Sequence, residues 1–407
     1  LYNLWFDQNG HKTKYLQIFE DNQIDITNIF CILCGSGRNA PGAFKQLSDL
    51  WFDSSGFKTH YLLNLENEGL YIQNLTRIFG FIGNGAGQSF LQLYELWFEN
   101  DGQKTTYLKN LENVGFKLSY ASVILGNSRR KSAKNFLNFY YIWFDKAGHR
   151  THILNNFHNE GLDIISIINL FSTFRNNITK DILEFSNICF DVKGQKTIYL
   201  NNFNKCGIDL LMIFKILVGS RTKSVGAFKN LYAILFNKTH QKSEYVLNLE
   251  NHNIYLVDIS KILFKTGFNA AETFKTLYDL WLDKNGEPTS VLKTLQQNQI
   301  NISDICILLS ESGKTAPFRF MELFSLWFNK KGEKTKYLAY IERANIRLSH
   351  IFKMLEGVGP LAIKCLKTLF KMWFDEAGNK TLFLSTIDKE EIKLSDFTDI
   401  LKGSGAE

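Results

Sequence analysis

Every tryptophan in the chain stands on one arithmetic ladder: Trp5, Trp51, Trp97, Trp143, Trp281, Trp327 and Trp373 lie 46 residues apart or at a multiple of 46. The two remaining rungs hold Cys189 and Leu235, each followed by Phe as most of the tryptophans are. Nine units in strict register, with nothing inserted between them, read as a tandem array. Repeats of this kind cannot bury their apolar faces alone and stack on their neighbours. The 407 residues are therefore expected to form one array spanning 1–407, where length alone would suggest two or three globular domains. The chain begins at Leu1 and stops at Glu407 inside a repeat, so both ends are expected to be cuts in a longer array.

The unit around Trp51 can be read physically. Phe44, Leu47, Leu50 and Trp51 share a helical face, which predicts a first helix from about Pro41 to Asp53. Pro41, and Pro317 at the equivalent place, suit the first helical turn, where a missing N–H costs little. After a turn over Asp53–Gly56, Thr59 is expected to cap a second helix carrying Tyr61, Leu62 and Leu65. Gly69, Gly115, Gly161, Gly207, Asn253 and Asn345 mark its end, because Gly and Asn tolerate the left-handed conformation there. A Ser or Thr a few residues on (Thr27, Ser119, Ser303, Ser349, Ser395) is expected to cap a third helix, with Leu75, Ile78 and Phe79 on its buried face. No segment alternates with period two. The predicted class is all-α: a right- or left-handed solenoid, or superhelix, of about nine 46-residue three-helix repeats.

Composition narrows the functions. A net charge of +7 permits an anionic partner without requiring one. Six cysteines occupy no repeating position, which points to a reducing compartment, cytoplasm or nucleus, rather than a disulfide framework. No apolar run is long enough to span a bilayer. Cys31 and Cys34 form C-x-x-C but lack the further ligands that a zinc site needs, and His149 and His152 recur in no other unit. Gly313-Lys314-Thr315 ends like a phosphate-binding loop, yet Leu308 stands where the earlier Gly belongs. No Ser, His or carboxylate repeats in a way that would build a catalytic pair, so no enzyme, cofactor or metal is expected.

The variation sits in the five residues joining each third helix to the next first helix. These loops carry nine Lys or Arg (Arg38, Arg129, Arg130, Lys131, Arg175, Arg221, Lys223, Lys265, Lys314) against one acid, Glu311. Each precedes a helix N-terminus, where free N–H groups and the macrodipole favour an anion. With Gly35, Ser36, Asn39, Asn127, Ser128, Asn176, Asn177, Gly219, Ser220, Thr266, Asn269 and Ser312, they form the candidate nucleic-acid-binding edge. A second ladder lies seven residues after the tryptophans: Lys12, Lys58, Lys104, Arg150, Lys196, Lys242, Lys334 and Lys380, interrupted by Pro288. One charge per unit could track phosphates; a solvated Lys beside a helix cap explains it equally well.

The stretch Leu394–Gly405, its counterpart Ile302–Gly313, and Ile24–Gly37 followed by Ala43-Phe44 share a pattern: a Ser/Thr position, an apolar helix, a variable pair and Gly. This resembles the repeats of TAL effectors and their bacterial TAL-like relatives, over less than half of each unit. The resemblance implies a modular DNA-binding superhelix that addresses one base per repeat through pairs such as Gly35-Ser36, Asn127-Ser128, Gly219-Ser220 and Lys265-Thr266. For a bacterial effector it also implies action in a host nucleus. This unit departs from the family in its additional helix, in its pairs, and in Arg129, Arg175 and Arg221 at the family's Gly. No base code is carried over.

Two functions follow. The first is a monomeric modular binder of nucleic acid, with DNA favoured over RNA because the loops offer few aromatic groups (Phe81, Phe174, Phe268). Constant unit length supports it, since a reader of a regular polymer must advance by a fixed step. The alternative is a solenoid scaffold that holds a protein ligand on its concave face.

Overall fold

The computed structural model describes residues 2–171, 178–220, 223–355, 358 and 361–389. Among them the chain is all-helical, with no strand. It divides into two compact units, Leu1–Asn187 with Val192–Gly194 and Ile188–Asp191 with Gln195–Glu407.

The unit around Trp51 has the three predicted helices, Ala40–Trp51, His60–Asn67 and Ile72–Phe79, and then a short 3-10 turn over Gly83–Gly85. Phe44, Leu47 and Trp51 are buried, as are Leu75, Ile78 and Phe79, while Leu50 is half-buried. Pro41 lies in the first turn of its helix, and so does Pro317. Between first and second helices the backbone reverses through an Asp-x-x-Gly turn, closed by an antiparallel bridge from Phe52 to Lys58. The same bridge recurs at every rung described, from Phe6–Lys12 to Phe374–Lys380.

Thr59 precedes the second helix, but the expected side-chain cap of its N–H groups is not made; the hydroxyl instead donates back to the Leu50 carbonyl of the first. Thr105, Ser243 and Thr289 do the same to Leu96, Ile234 and Leu280 at 2.6, 2.7 and 2.6 Å. One hydroxyl thus satisfies an orphan carbonyl at the end of one helix while standing at the start of the next. Left-handed residues end the second helices at Gly69 (φ 73), Gly115 (φ 88), Asn253 (φ 60) and Asn345 (φ 59), as expected.

The cap of the third helix is corrected. Asp25 and Asn301, two residues before Thr27 and Ser303, are the N-caps, and their side chains accept the Thr27 and Ser303 backbone N–H groups. Asp209 does likewise for Met212 at 2.7 Å. Ser119 lies in a 3-10 turn after Lys117, Ser349 is second in its helix, and Ser395 falls outside the described residues. Acidic and amide side chains serve here because a carboxylate also complements the helix N-terminus.

Within each unit, successive repeats pack like on like, first helix against first and third against third. Trp51, Trp97 and Trp143 are at most 1 % exposed, and in the second unit Leu235 and Cys189 are equally sunk at 2 % and 0 %, so the two odd rungs are as buried as the tryptophans. Trp51 meets Phe90 of the next repeat in a T-shaped contact (6.0 Å, 74°), repeated by Trp97–Phe136 and Trp281–Phe320. The indole N–H of Trp51, Trp97 and Trp281 has no hydrogen-bond partner.

Two hydrogen bonds fix the step between repeats. Asn64 donates to Tyr94 (2.7 Å) and Asn110 to Tyr140 (2.8 Å) in the first unit; Asn202–Tyr232 (2.8 Å) and Asn248–Tyr278 (3.0 Å) match them in the second. The N–H of Phe81 reaches the Cys31 carbonyl (2.8 Å) and that of Lys265 the Lys215 carbonyl (2.7 Å), each 50 residues back. Packing within each unit therefore favours a constant step independently of any ligand.

Candidate nucleic-acid interface

The variable loop follows one backbone course. Its first residue is left-handed (Gly35 φ 89, Phe81 φ 62, Asn127 φ 60, Gly219 φ 86, Lys265 φ 65, Glu311 φ 61), and so is its third (Gly37 φ 53, Gly83 φ 75, Arg129 φ 54, Gly267 φ 61, Gly313 φ 58). The residue between them is right-handed, as at Ser36, Ile82, Ser128, Thr266 and Ser312. This alternation turns the second side chain inward. Ser36, Ile82, Ser220, Thr266 and Ser312 are all buried, with Ser128 half-buried.

Glycine at the third position also answers to packing. A Cβ on Gly267 would stand 3.1 Å from the Ser220 backbone nitrogen, and one on Gly313 3.0 Å from the Lys265 carbonyl. Adjacent loops are therefore stacked directly on one another. A substituent at this position must leave toward solvent, which is where Arg129 goes.

These constraints sort the candidate residues. Gly35, Arg38, Asn39, Asn127, Arg129, Arg130, Lys131, Gly219, Lys223, Lys265 and Lys314 are exposed, and Asn269 is half-buried. Ser36, Ser220, Thr266 and Ser312 present their side chains to the core, so in this structure they face no polymer. Arg175, Asn176, Asn177 and Arg221 lie outside the described residues. The inward position was legible in retrospect, since it holds only small or apolar residues.

The second ladder has a different setting. Lys12, Lys58, Lys104, Lys242 and Lys334 pair with Glu20, Glu66, Glu112, Glu250 and Glu342, each eight residues on, at 2.6–2.8 Å. Lys104 also reaches Glu68 at 2.8 Å. Lys196 meets the Asn204 side-chain oxygen (2.8 Å) once that amide is turned to suit its neighbours, and Lys380 is engaged as well. Arg150 is exposed, with His158 standing at the eighth position. Pairing therefore ties this ladder to the second helix of its own repeat. The signal was available as a Lys–Glu spacing of eight.

The loop edge of the first unit is the opposite case. Among the described residues, none of Arg38, Arg129, Arg130 and Lys131 has a carboxylate within ion-pair distance; nor does Arg77, an exposed third-helix residue that sequence reasoning passed over. Arg130 instead donates to the neutral Asn84 amide oxygen of the preceding loop (2.9 Å), and the Arg129 guanidinium lies 5.8 Å from the centre of the Phe81 ring. In the second unit the charge is partly cancelled, because Lys265 pairs with Glu311 at 2.6 Å. Lys223 there lies 4.5 Å over Phe268.

Other candidates resolve into structure. His149 completes the turn at Asp145, donating its backbone N–H to that carboxylate (2.9 Å). Cys31 and Cys34 are free and exposed, and among the described residues no cluster of His, Cys, Asp or Glu stands where it could hold a metal. Gly313–Thr315 is the 3-10 turn before a first helix. No described helix is long and apolar enough to cross a membrane. No family model, curated protein or solved structure matches the chain.

Proposed function

We propose that the chain binds nucleic acid along the edge formed by its variable loops, with the first unit providing most of the electrostatic attraction. One observation carries this reading. Five framework lysines, Lys12, Lys58, Lys104, Lys242 and Lys334, are matched with glutamates of their own repeats, whereas among the described residues Arg38, Arg77, Arg129, Arg130 and Lys131 have no carboxylate partner. Positive charge without an internal counter-ion is what a phosphate backbone displaces counter-ions to reach. Such contacts set position and carry no base information, so the reading concerns binding and leaves base choice aside. Double-stranded DNA, favoured by the sequence, is the first polymer to test.

The scaffold reading keeps one supporting observation. Leu63 and Leu247 are 45 % and 47 % exposed, and Tyr71 and Tyr255 52 % and 48 %, at equivalent positions of two repeats. Such scattered apolar residues are common on soluble surfaces and mark no contiguous patch.

The test compares two sets of substitutions. Arg129→Gly, Arg130→Asn and Lys131→Gly together install the residues of the preceding loop, Gly83-Asn84-Gly85, and are expected to weaken binding to duplex DNA at least tenfold at low salt. Lys58→Gln with Lys104→Gln, which disturbs only paired lysines, is expected to leave binding nearly unchanged. Equal losses from both sets would reject the loop edge as the binding surface.

A further inference from the structure

Phe81 is the aromatic member of its column, where the equivalent positions hold Gly35, Asn127, Gly219, Lys265 and Glu311. It keeps the left-handed backbone they share (φ 62), a conformation disfavoured for an aromatic residue. It also leaves 56 % of its surface exposed, although the residue that follows it, Ile82, is buried. Its neighbour on the next loop, Arg129, is left-handed too (φ 54) and sets its guanidinium 5.8 Å from the centre of the Phe81 ring. Around this pair stand Arg130, held by Asn84, together with Lys131 and Arg77, and no carboxylate pairs with any of the four cations among the described residues. Arg77 is close at hand: its backbone carbonyl accepts the Asn127 N–H (2.8 Å), and its side chain runs beside Gly126.

We propose that Phe81 and Arg129 form a stacking platform for one unpaired nucleobase, and that Arg77, Arg130 and Lys131 hold the phosphates flanking it. The inference rests on the nucleic-acid reading above and deepens it by naming the form of the polymer at this place: single-stranded. A base inside a duplex has both faces covered by its neighbours, so it offers no face to a side chain unless it leaves the stack. An unpaired base has a free face, which an exposed aromatic ring covers without regard to base identity. A guanidinium beside the ring adds a planar cation on which the same base can lie. The surrounding positive charge selects a ligand that carries anions next to the flat ring, which a nucleotide strand does and an apolar peptide does not. The sequence favoured duplex DNA because few loop aromatics were present; the structure places one of those few in the open, beside cations that have no carboxylate partner among the described residues. Phe268 with Lys223 repeats part of this arrangement in the second unit, but the neighbouring Lys265 is neutralised by Glu311, so the first unit carries the proposal.

Binding of the full chain to labelled single-stranded DNA, single-stranded RNA and duplex DNA of equal length tests it, using wild type, Phe81→Asn and Arg129→Gly. Both replacements are residues the array already uses at these positions, Asn127 and Gly83, and Phe81→Gly, after Gly35, serves as a second variant should the first fail to fold. Phe81→Asn is expected to weaken single-strand binding by roughly 5- to 150-fold, to leave duplex binding unchanged, and to leave the salt dependence of both unchanged because no charge is removed. Arg129→Gly is expected to weaken both and to lower the salt dependence. Unequal single-stranded DNA and RNA affinities would identify which strand supplies the base. Wild type binding nucleic acid with Phe81→Asn silent, or Phe81→Asn weakening duplex as much as single strand, would overturn the platform alone. Wild type binding neither polymer would overturn the nucleic-acid reading as well.

Discussion

At the residue scale, identical chemistry has two fates that depend on where the backbone places it. Lys58 and Arg130 are both surface cations, yet Lys58 faces Glu66 across its own hairpin and Arg130 meets only an amide. Exposed pairs such as Lys58–Glu66 contribute little to stability, roughly 0–1 kcal/mol, so their recurrence is better understood as neutralising a charge at the hairpin than as holding the fold. The hairpin aspartates have a sharper consequence. Backbone N–H groups of His11, His149, Glu287 and Asn379 hold the carboxyls of Asp7, Asp145, Asp283 and Asp375 below the usual carboxylate range. A depressed folded pKa means these turns add stability above the unfolded value and lose it as pH falls through the folded one. Thermal stability is therefore expected to fall below about pH 4, and replacing all four aspartates by Asn should flatten that fall. Asn237 and Asn329 already occupy this position and accept the same N–H groups (3.0 Å), so the replacement keeps the turn. A variant melting curve as acid-sensitive as wild type would contradict the assignment.

At the element scale, the sequence was most legible where one physical demand acts alone. The tryptophan column and the left-handed residues after the second helices were readable because burial and positive φ each select a narrow set of residues. The third-helix cap was misplaced because Thr27 and Asp25 are both good caps by type, and only the backbone decides between them. In the loop pair, the small or apolar residues at the second position hint at which neighbour points inward, and the left-right-left backbone course accounts for it. Glycine at the hairpin shows two demands acting together. Gly286 is left-handed (φ 81), and a Cβ there would lie 2.5 Å from the Asn248 amide that donates to Tyr278. Gly286→Ala is expected to cost about 1–3 kcal/mol, read as a lower denaturation midpoint with an unchanged slope. A neutral result would mean that this asparagine moves aside without losing its tie to the next repeat.

At the scale of the whole molecule, regular spacing has two possible sources, and the structure supplies one of them. The Asn–Tyr and loop-to-carbonyl hydrogen bonds tie neighbouring repeats within each unit, so packing favours a fixed step before any polymer is considered. The case for nucleic acid therefore rests on charge placement. Among the described residues of the first unit, cations gather without counter-ions on the edge where the loops stack. The sequence revealed the basic bias of these loops but not which of its cations were already spent, since pairing across eight or 46 residues depends on the fold. The most direct test is the salt dependence of binding to duplex and single-stranded nucleic acid, for wild type and for the Arg129→Gly, Arg130→Asn, Lys131→Gly chain. Wild type should give a log–log slope of about −5 or steeper on duplex DNA, flattened by roughly 3 in the variant. Absence of binding at low salt, or a slope that the loop substitutions leave untouched, would contradict the account.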